Sequence, residues 1–316
     1  MKRPYNIETA ISVQHALTSR VAVTAGWYHR SFHNIAVIDN LLRSPADYVP
    51  VAIVSPYNGD VITAYNLKSA ALLSQVDNLV TNGPDNLKEI YNGFELSASA
   101  RLPGGGQVLA SSTTQRILRN HSDGFSGSAG CADPDDPNTR RFCDRFNLPA
   151  PYQGVDFKSD FKLAGSYPLP FGIRASGTFK SHPARPRGDF TYLDEVQPIN
   201  WNISRTTRYT AEGCAGRPCT AGDLVIPGLV QTSLIVPLAP AGTEVKLPRL
   251  VQLDFGATKT FRRHGVEMEG GFQLFNALNA STVVQTQSTN FGTATYGVPS
   301  EILLGRFPRI SLQMKW

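Results

Sequence analysis

Nowhere in its 316 residues does the chain hold an unbroken apolar run of about 18, the length at which a membrane-crossing helix becomes a candidate. That absence excludes helical insertion but not insertion by strands, whose alternating pattern keeps average hydropathy low. Hydrophobic residues make up only 41% of the chain. Charge of one sign is also missing. The net charge is +5 and Lys and Arg are scattered, so no dense basic patch points to nucleic acid. Cysteine is scarce, with four residues and no Cys-x-x-Cys pair, which argues against a zinc site. No apolar stretch follows the basic start MKRPYNIETA, so that start is not a secretory signal.

Catalytic patterns are missing as well. Gly124-Phe125-Ser126-Gly127 lacks the last glycine of a nucleophile elbow and has no strand-to-helix setting. Gly104–Gly106 precedes a strand rather than a helix, so it reads as a turn and not a phosphate cradle. Asp133–Asn138 is acidic enough for calcium, but it has neither the Gly at the sixth nor the Glu at the twelfth position of an EF-hand loop. His29 and His33 fall four apart in a strand, about 13 Å at 3.3 Å per residue, too far to chelate one metal. They read as rim aromatics beside Trp27, Tyr28 and Phe32. The expectation is a protein without catalytic residues, metal or cofactor.

What the chain has is alternation. In Arg306–Trp316, Ile310, Leu312, Met314 and Trp316 alternate with Arg309, Ser311, Gln313 and Lys315. A strand sends successive side chains to opposite faces, so this one has an apolar and a charged face. The same pattern recurs in four hairpins: Thr9–Leu17 with Arg20–Phe32, Lys88–Leu102 with Gln107–Arg119, Val155–Tyr167 with Ile173–Ser181, and Arg249–Phe261 with Val266–Phe275. Tight turns join the arms, at Thr18-Ser19, Pro103–Gly106, Pro168–Gly172 and Arg262–Gly265. Each hairpin is followed by a segment far longer than the ~12–15 residues that compact domains tolerate without structure. A further strand is expected inside one of them, at Trp201–Tyr209.

Turns short at one end and connections long at the other are the signature of an outer-membrane barrel, with periplasmic turns and extracellular loops. The expected fold is therefore all-β: an antiparallel transmembrane β-barrel segment of about nine meander strands, one face to lipid and one to a wet lumen. An odd count does not close an ordinary bacterial barrel. Together with the missing signal, it leads to the expectation that residues 1–316 are the C-terminal part of a larger barrel. A soluble secreted β-sandwich is the alternative. It accounts for the strand number but not for loops long at one end only.

Three stretches carry a resemblance. Leu247–Asn279 contains a strand with Leu253-Asp254, a basic turn, and the ending Phe275-Asn276-Ala277-Leu278-Asn279, similar to an F-N-x-x-N signature. Pro299–Trp316 resembles a proline-led approach to a final aromatic-ended strand, with Trp where Phe is usual. Lys158–Ser181 is similar to a hairpin of large receptors that carry a carboxypeptidase-regulatory-like domain. All three resemble the C-terminal end of TonB-dependent outer-membrane receptors. The resemblance implies a barrel of about 22 strands, closed by a plug and importing a ligand with energy passed through TonB. The plug, the TonB-contacting segment and the regulatory-like domain have no counterpart in this sequence, so TonB would be a partner through those parts. The other implied partners are outer-membrane lipid and the barrel-assembly machinery, which would read Ile310, Leu312, Met314 and Trp316.

Candidate site residues follow from position. Binding side chains concentrate on loops held by a rigid scaffold, so ligand capture is assigned to loop aromatics: Tyr48, Tyr57, Tyr65, Tyr192, Trp201, Tyr209, Phe291 and Tyr296. Packing between loops is the competing role for each. Cys131 with Cys143, and Cys214 with Cys219, are expected to close loop disulfides in an oxidising compartment.

Overall fold

The computed structural model describes residues 1–83, 85, 87, 89–119, 136–138, 157–183, 196–197, 199–209, 224–238, 245–263 and 266–315. Nine strands form one antiparallel sheet in simple chain order. They are β1 (Tyr5–Thr18), β2 (Val21–His33), β3 (Glu89–Arg101), β4 (Gln107–Arg119), β5 (Lys158–Leu169), β6 (Ile173–His182), β7 (Leu250–Arg263), β8 (Val266–Phe275) and β9 (Phe307–Lys315). All nine expected strands are present, and each pairs with its neighbours in sequence. The other sheets among the described residues have two strands each, and Phe272 and Leu312, which a sandwich would bury, are 48% and 69% exposed, which speaks against the sandwich alternative.

Register makes the alternation of each strand into two continuous faces. Residues opposite each other in an antiparallel pair point the same way. Ile11 faces Trp27, Trp27 faces Phe94, Leu163 faces both Ala110 and Phe179, Phe179 faces Leu253, and Phe272 faces Ile310. A one-residue slip in any pair would turn that strand's apolar set to the other side. The apolar face stays open to the surroundings: Val13 is 64%, Leu312 69% and Ile310 84% exposed.

The opposite face carries Glu8, Arg30, Glu95, Lys162, Lys180, Asp254, Glu267 and Arg309 by the same register. Charges pair across it. Arg30 Nε donates to Glu8 Oε2 at 2.9 Å, and Arg262 Nε to Glu267 Oε2 at 2.7 Å. Small hydroxyl residues fill much of the rest, including the aligned pair Ser97 and Ser111.

One tight turn shows why glycine is needed there. Gly104 has φ +80, a region that costs other residues a steric clash. A Cβ at Gly106 would meet the Tyr167 ring at 2.3 Å, so the turn packs flat against the next hairpin.

Three of the long connections hold short two-stranded sheets of their own: Tyr48–Val54 with Val61–Leu67, Ala36–Asn40 with Asn78–Asn82, Asn200–Ser204 with Ser233–Pro237, and Val283–Thr286 with Pro299–Ile302. The extra strand expected at Trp201–Tyr209 exists, but it begins at Asn200 and stops at Ser204.

Candidate functional site: a cap built from the long connections

Three of the long connections fold into one body at a single end of the sheet. Alternation in the short strands explains how. Trp201 and Ile203 are buried while Asn202 between them is exposed, and their partners Val236 and Leu234 are buried in turn. Ile53 faces Ile62, and both are sealed from solvent. These side chains join Ile199, Val225, Ile226, Leu229 and Leu238 in a single core, with Phe291 and Tyr296 of the last connection packed on it. Large buried side chains of this kind each contribute about 1.5–3 kcal/mol through area removed from water.

Hydrogen bonds stitch the same segments together. Tyr209 Oη accepts from the Val54 N–H at 3.2 Å. Asn66 donates to the Gly228 carbonyl and accepts from Val230 N. Phe291 N donates to Asn200 O at 2.6 Å. From the remaining connection, between β4 and β5, Asn138 copies a strand edge toward Tyr65, accepting from its N–H at 2.8 Å and donating to its carbonyl at 2.9 Å. Asp136 Oδ1 holds that asparagine in place, and burial raises the Asp136 pKa above the ordinary carboxylate value despite those bonds.

The expected capture residues take different places. Tyr48 and Trp201 are buried. Tyr209 leans on Trp201 with ring centroids 6.1 Å apart. Tyr65 is half-buried. Tyr57 is 45% exposed and meets the Phe291 ring edge-on at 5.6 Å, while Phe291 meets Tyr296 at 5.3 Å. Tyr57, Phe291 and Tyr296 thus form one aromatic cluster at the cap surface, and burial raises the Tyr296 pKa. Tyr192 lies outside the described residues, as do Cys131, Cys143, Cys214, Cys219, Trp316 and most of Asp133–Asn138. Among the described residues no group of three His, Cys, Asp or Glu side chains could hold a metal.

At the join between cap and sheet, the F-N-x-x-N stretch has a visible purpose. Asn276 and Asn279 both take positive φ, 47 and 52, which asparagine tolerates better than most residues. Asn276 is buried, and its side chain binds Ala280 N, Ala280 O and Leu304 O. Asn279 Oδ1 accepts from Arg306 N at 2.9 Å. The motif turns the chain out of β8 and brings the far end of the loop back to β9. Sequence reading found the motif but not this job, because neither backbone sign nor partner is written in the letters.

The histidines lie at the long-loop end of the apolar face. His29 stacks near Trp27 at 6.0 Å and His33 on Tyr5 at 4.9 Å. Tyr28 and Phe32 belong to the opposite face. The other three members of the C-terminal signal, Ile310, Leu312 and Met314, share the apolar face of β9.

No protein-family model matches the chain, and no curated protein matches it by sequence. Among solved structures it is similar to the outer membrane transporter YddB from Escherichia coli, with TM-score 0.46 and 15% identity over 98% of this chain and 32% of that one. A second similar structure is the copper transporter OprC, with TM-score 0.41 and 11% identity over 98% of this chain and 31% of that one. The chain thus spans about a third of the length of these neighbours.

Proposed function

We propose that this chain is the C-terminal wall and part of the extracellular cap of an outer-membrane transport barrel. One observation carries the reading. The sheet presents an apolar face across all nine strands and nothing among the described residues covers it, while their buried core sits apart, in the cap. A soluble monomer rarely exposes an apolar patch beyond ~300–600 Å², and this face is far wider. Lipid is the solvent that makes such a wall stable. The polar face then lines an aqueous lumen.

The parent protein, on this reading, imports a ligand too large for simple pores, such as a glycan, a peptide or a metal chelate. Energy would come from TonB through segments outside this sequence. Membership among receptors with a carboxypeptidase-regulatory-like domain rests on the Lys158–Ser181 sequence alone. The exposed side of the Tyr57, Phe291 and Tyr296 cluster is the part of the cap best suited to hold a ligand, since its rings are fixed by packing. Cys131–Cys143 and Cys214–Cys219 would brace neighbouring loops.

Trp27 offers a direct test. It points from the apolar face at the middle of β2. With Trp201 and Trp316 replaced by Phe, emission from Trp27 should be strongly quenched in vesicles whose acyl chains carry bromine. Full emission from a folded, vesicle-bound protein would end the proposal.

A further inference from the structure

Two glycines interrupt the polar face of β2 and β3, and a tyrosine lies over each. Glycine inside a strand is destabilising, and a close approach to the backbone is one reason to keep it. A Cβ at Gly26 would stand 3.0 Å from the Tyr28 ring, and a Cβ at Gly93 would fall against the Tyr91 phenol. Both rings are laid down along their strands, one side on bare backbone and the other turned to the wet side. Gly93 is opposite Tyr28, and Tyr91 is opposite Arg30, so the two glycine–tyrosine pairs are neighbours. The plates are offset by one strand, about 4.8 Å, and by one step of two residues, about 6.6 Å. Phe32 stands on the same face, one step above Arg30.

Polar groups hold the plates and leave oxygens beside them. Tyr28 Oη donates to Glu95 Oε2 at 3.5 Å, and Tyr91 Oη to Gln115 Oε1 at 3.1 Å. The neighbouring cation is already neutralised, since Arg30 Nε donates to Glu8 Oε2 at 2.9 Å. Tyr167 covers Gly106 in the same manner on the apolar face, so covering a glycine asks for neither a second plate nor a carboxylate. The pair on the polar face has both.

An aromatic ring face carries partial negative charge. The C–H bonds on one side of a pyranose carry partial positive charge and form a flat apolar patch, while its hydroxyls point outward around the rim. A fixed ring face with carboxylate and amide oxygens at its edge matches both parts of such a sugar. An apolar peptide side chain would want a pocket rather than a plate, and an anionic chelate would want an unpaired cation.

We propose that Tyr28 and Tyr91 form a stacking track on the lumen wall for a neutral oligosaccharide. The track rests on the transport reading above and narrows its ligand to a sugar. Sugar rings along one chain lie on the two plates. Glu95 and Gln115 accept from hydroxyls at the ring edges, and their bonds to the phenols keep the plates from turning edge-on.

The test uses the full chain folded into phosphatidylcholine bilayers and titrated by calorimetry with maltoheptaose and with cellohexaose. At least one of them should bind, with saturation transfer from tyrosine ring protons to sugar C–H protons. Tyr28→Leu and Tyr91→Leu should each weaken binding about tenfold, while Tyr28→Phe and Tyr91→Phe keep the plates and should lose about threefold. Glu95→Ala leaves both glycines covered and should still weaken binding about tenfold, the size of one hydrogen bond to a charged group. Gln313→Ala, on the polar face of β9, should leave binding unchanged. Unchanged affinity in the double leucine variant would overturn the track. If the leucine variants do not fold, unchanged affinity in Glu95→Ala would overturn it instead. Tighter binding of oligogalacturonate than of both neutral sugars would overturn the neutral class. A chain that enters bilayers normally yet binds neither sugar refutes only this inference. A chain that never enters them refutes the membrane reading, and the track with it.

Discussion

Asn276 reaches across the last long connection to Leu304, its Nδ2 donating to the Leu304 carbonyl at 2.8 Å while the same nitrogen holds Ala280 O at 2.9 Å. This single buried amide ties the end of β8 to the approach to β9. Asn276→Ala leaves the Ala280 N–H and the Leu304 carbonyl without partners and forces alanine to positive φ. We expect a loss of about 2–4 kcal/mol in urea unfolding from bilayers. Asn276→Gly relieves the backbone but not the bonds, so it should recover only part. A fully neutral Asn276→Ala would show that the amide does not hold the loop.

The two faces of the sheet make opposite predictions for the same substitution. Leu163 sits mid-strand on the apolar side, between Ala110 and Phe179. Leu163→Arg should cost about 2–4 kcal/mol, the value for arginine near a bilayer midplane. Leu312→Arg should also destabilise. Gln313→Arg and Ser111→Arg, pointing the other way, should be tolerated within experimental error. Similar costs on both faces, measured by reversible unfolding in lipid, would contradict the assignment of lipid and lumen.

The cap should respond as a unit. Ile203 is fully buried between segments from separate connections. Ile203→Ala should cost the cap about 2–4 kcal/mol through the cavity it leaves. Hydrogen exchange should then quicken at Val51, Val236 and Phe291 together while protection in β5 and β6 stays the same. Faster exchange confined to residues 200–204 would mean that the connections fold separately.

Tyr296 gives a prediction in pH. Burial raises its pKa above the ordinary tyrosine value, with the Tyr57 phenol adding to the effect. The folded state therefore keeps its proton where the unfolded chain has released it. Stability is unaffected well below the ordinary tyrosine pKa and falls as pH rises through that value toward the raised one. In a tyrosinate absorbance titration, Tyr296→Phe should remove a late-titrating component. Loss of an early component instead would place that ring in water.

The sheet was legible from sequence because its strands are long and its alternation is regular. Thr9–Leu17 marks most of β1, which extends to Tyr5 because Tyr5 still finds His33 opposite. β4 was legible only as a strand. Its run Ser111-Ser112-Thr113-Thr114 has no apolar period, so its faces come from its partners. For the same reason Arg116 could not be placed on the apolar face in advance. The cap was the larger omission. Its strands are short, Pro50 interrupts one of them, and the core joins residues far apart in sequence, from Ile53 to Tyr296. Local pattern carries no trace of that pairing. Capture was expected of Tyr48 and Trp201 because of their aromatic character, which is equally the character of a packed core.

The stitching of the connections has a mechanical result. The segments meeting around Ile203 leave the sheet from hairpins at opposite ends of the nine-strand row, after β2, after β6 and after β8. A row of strands joined only side by side could flatten or fan apart at little cost. Bound together through the cap core, the ends of those hairpins are held in one arrangement.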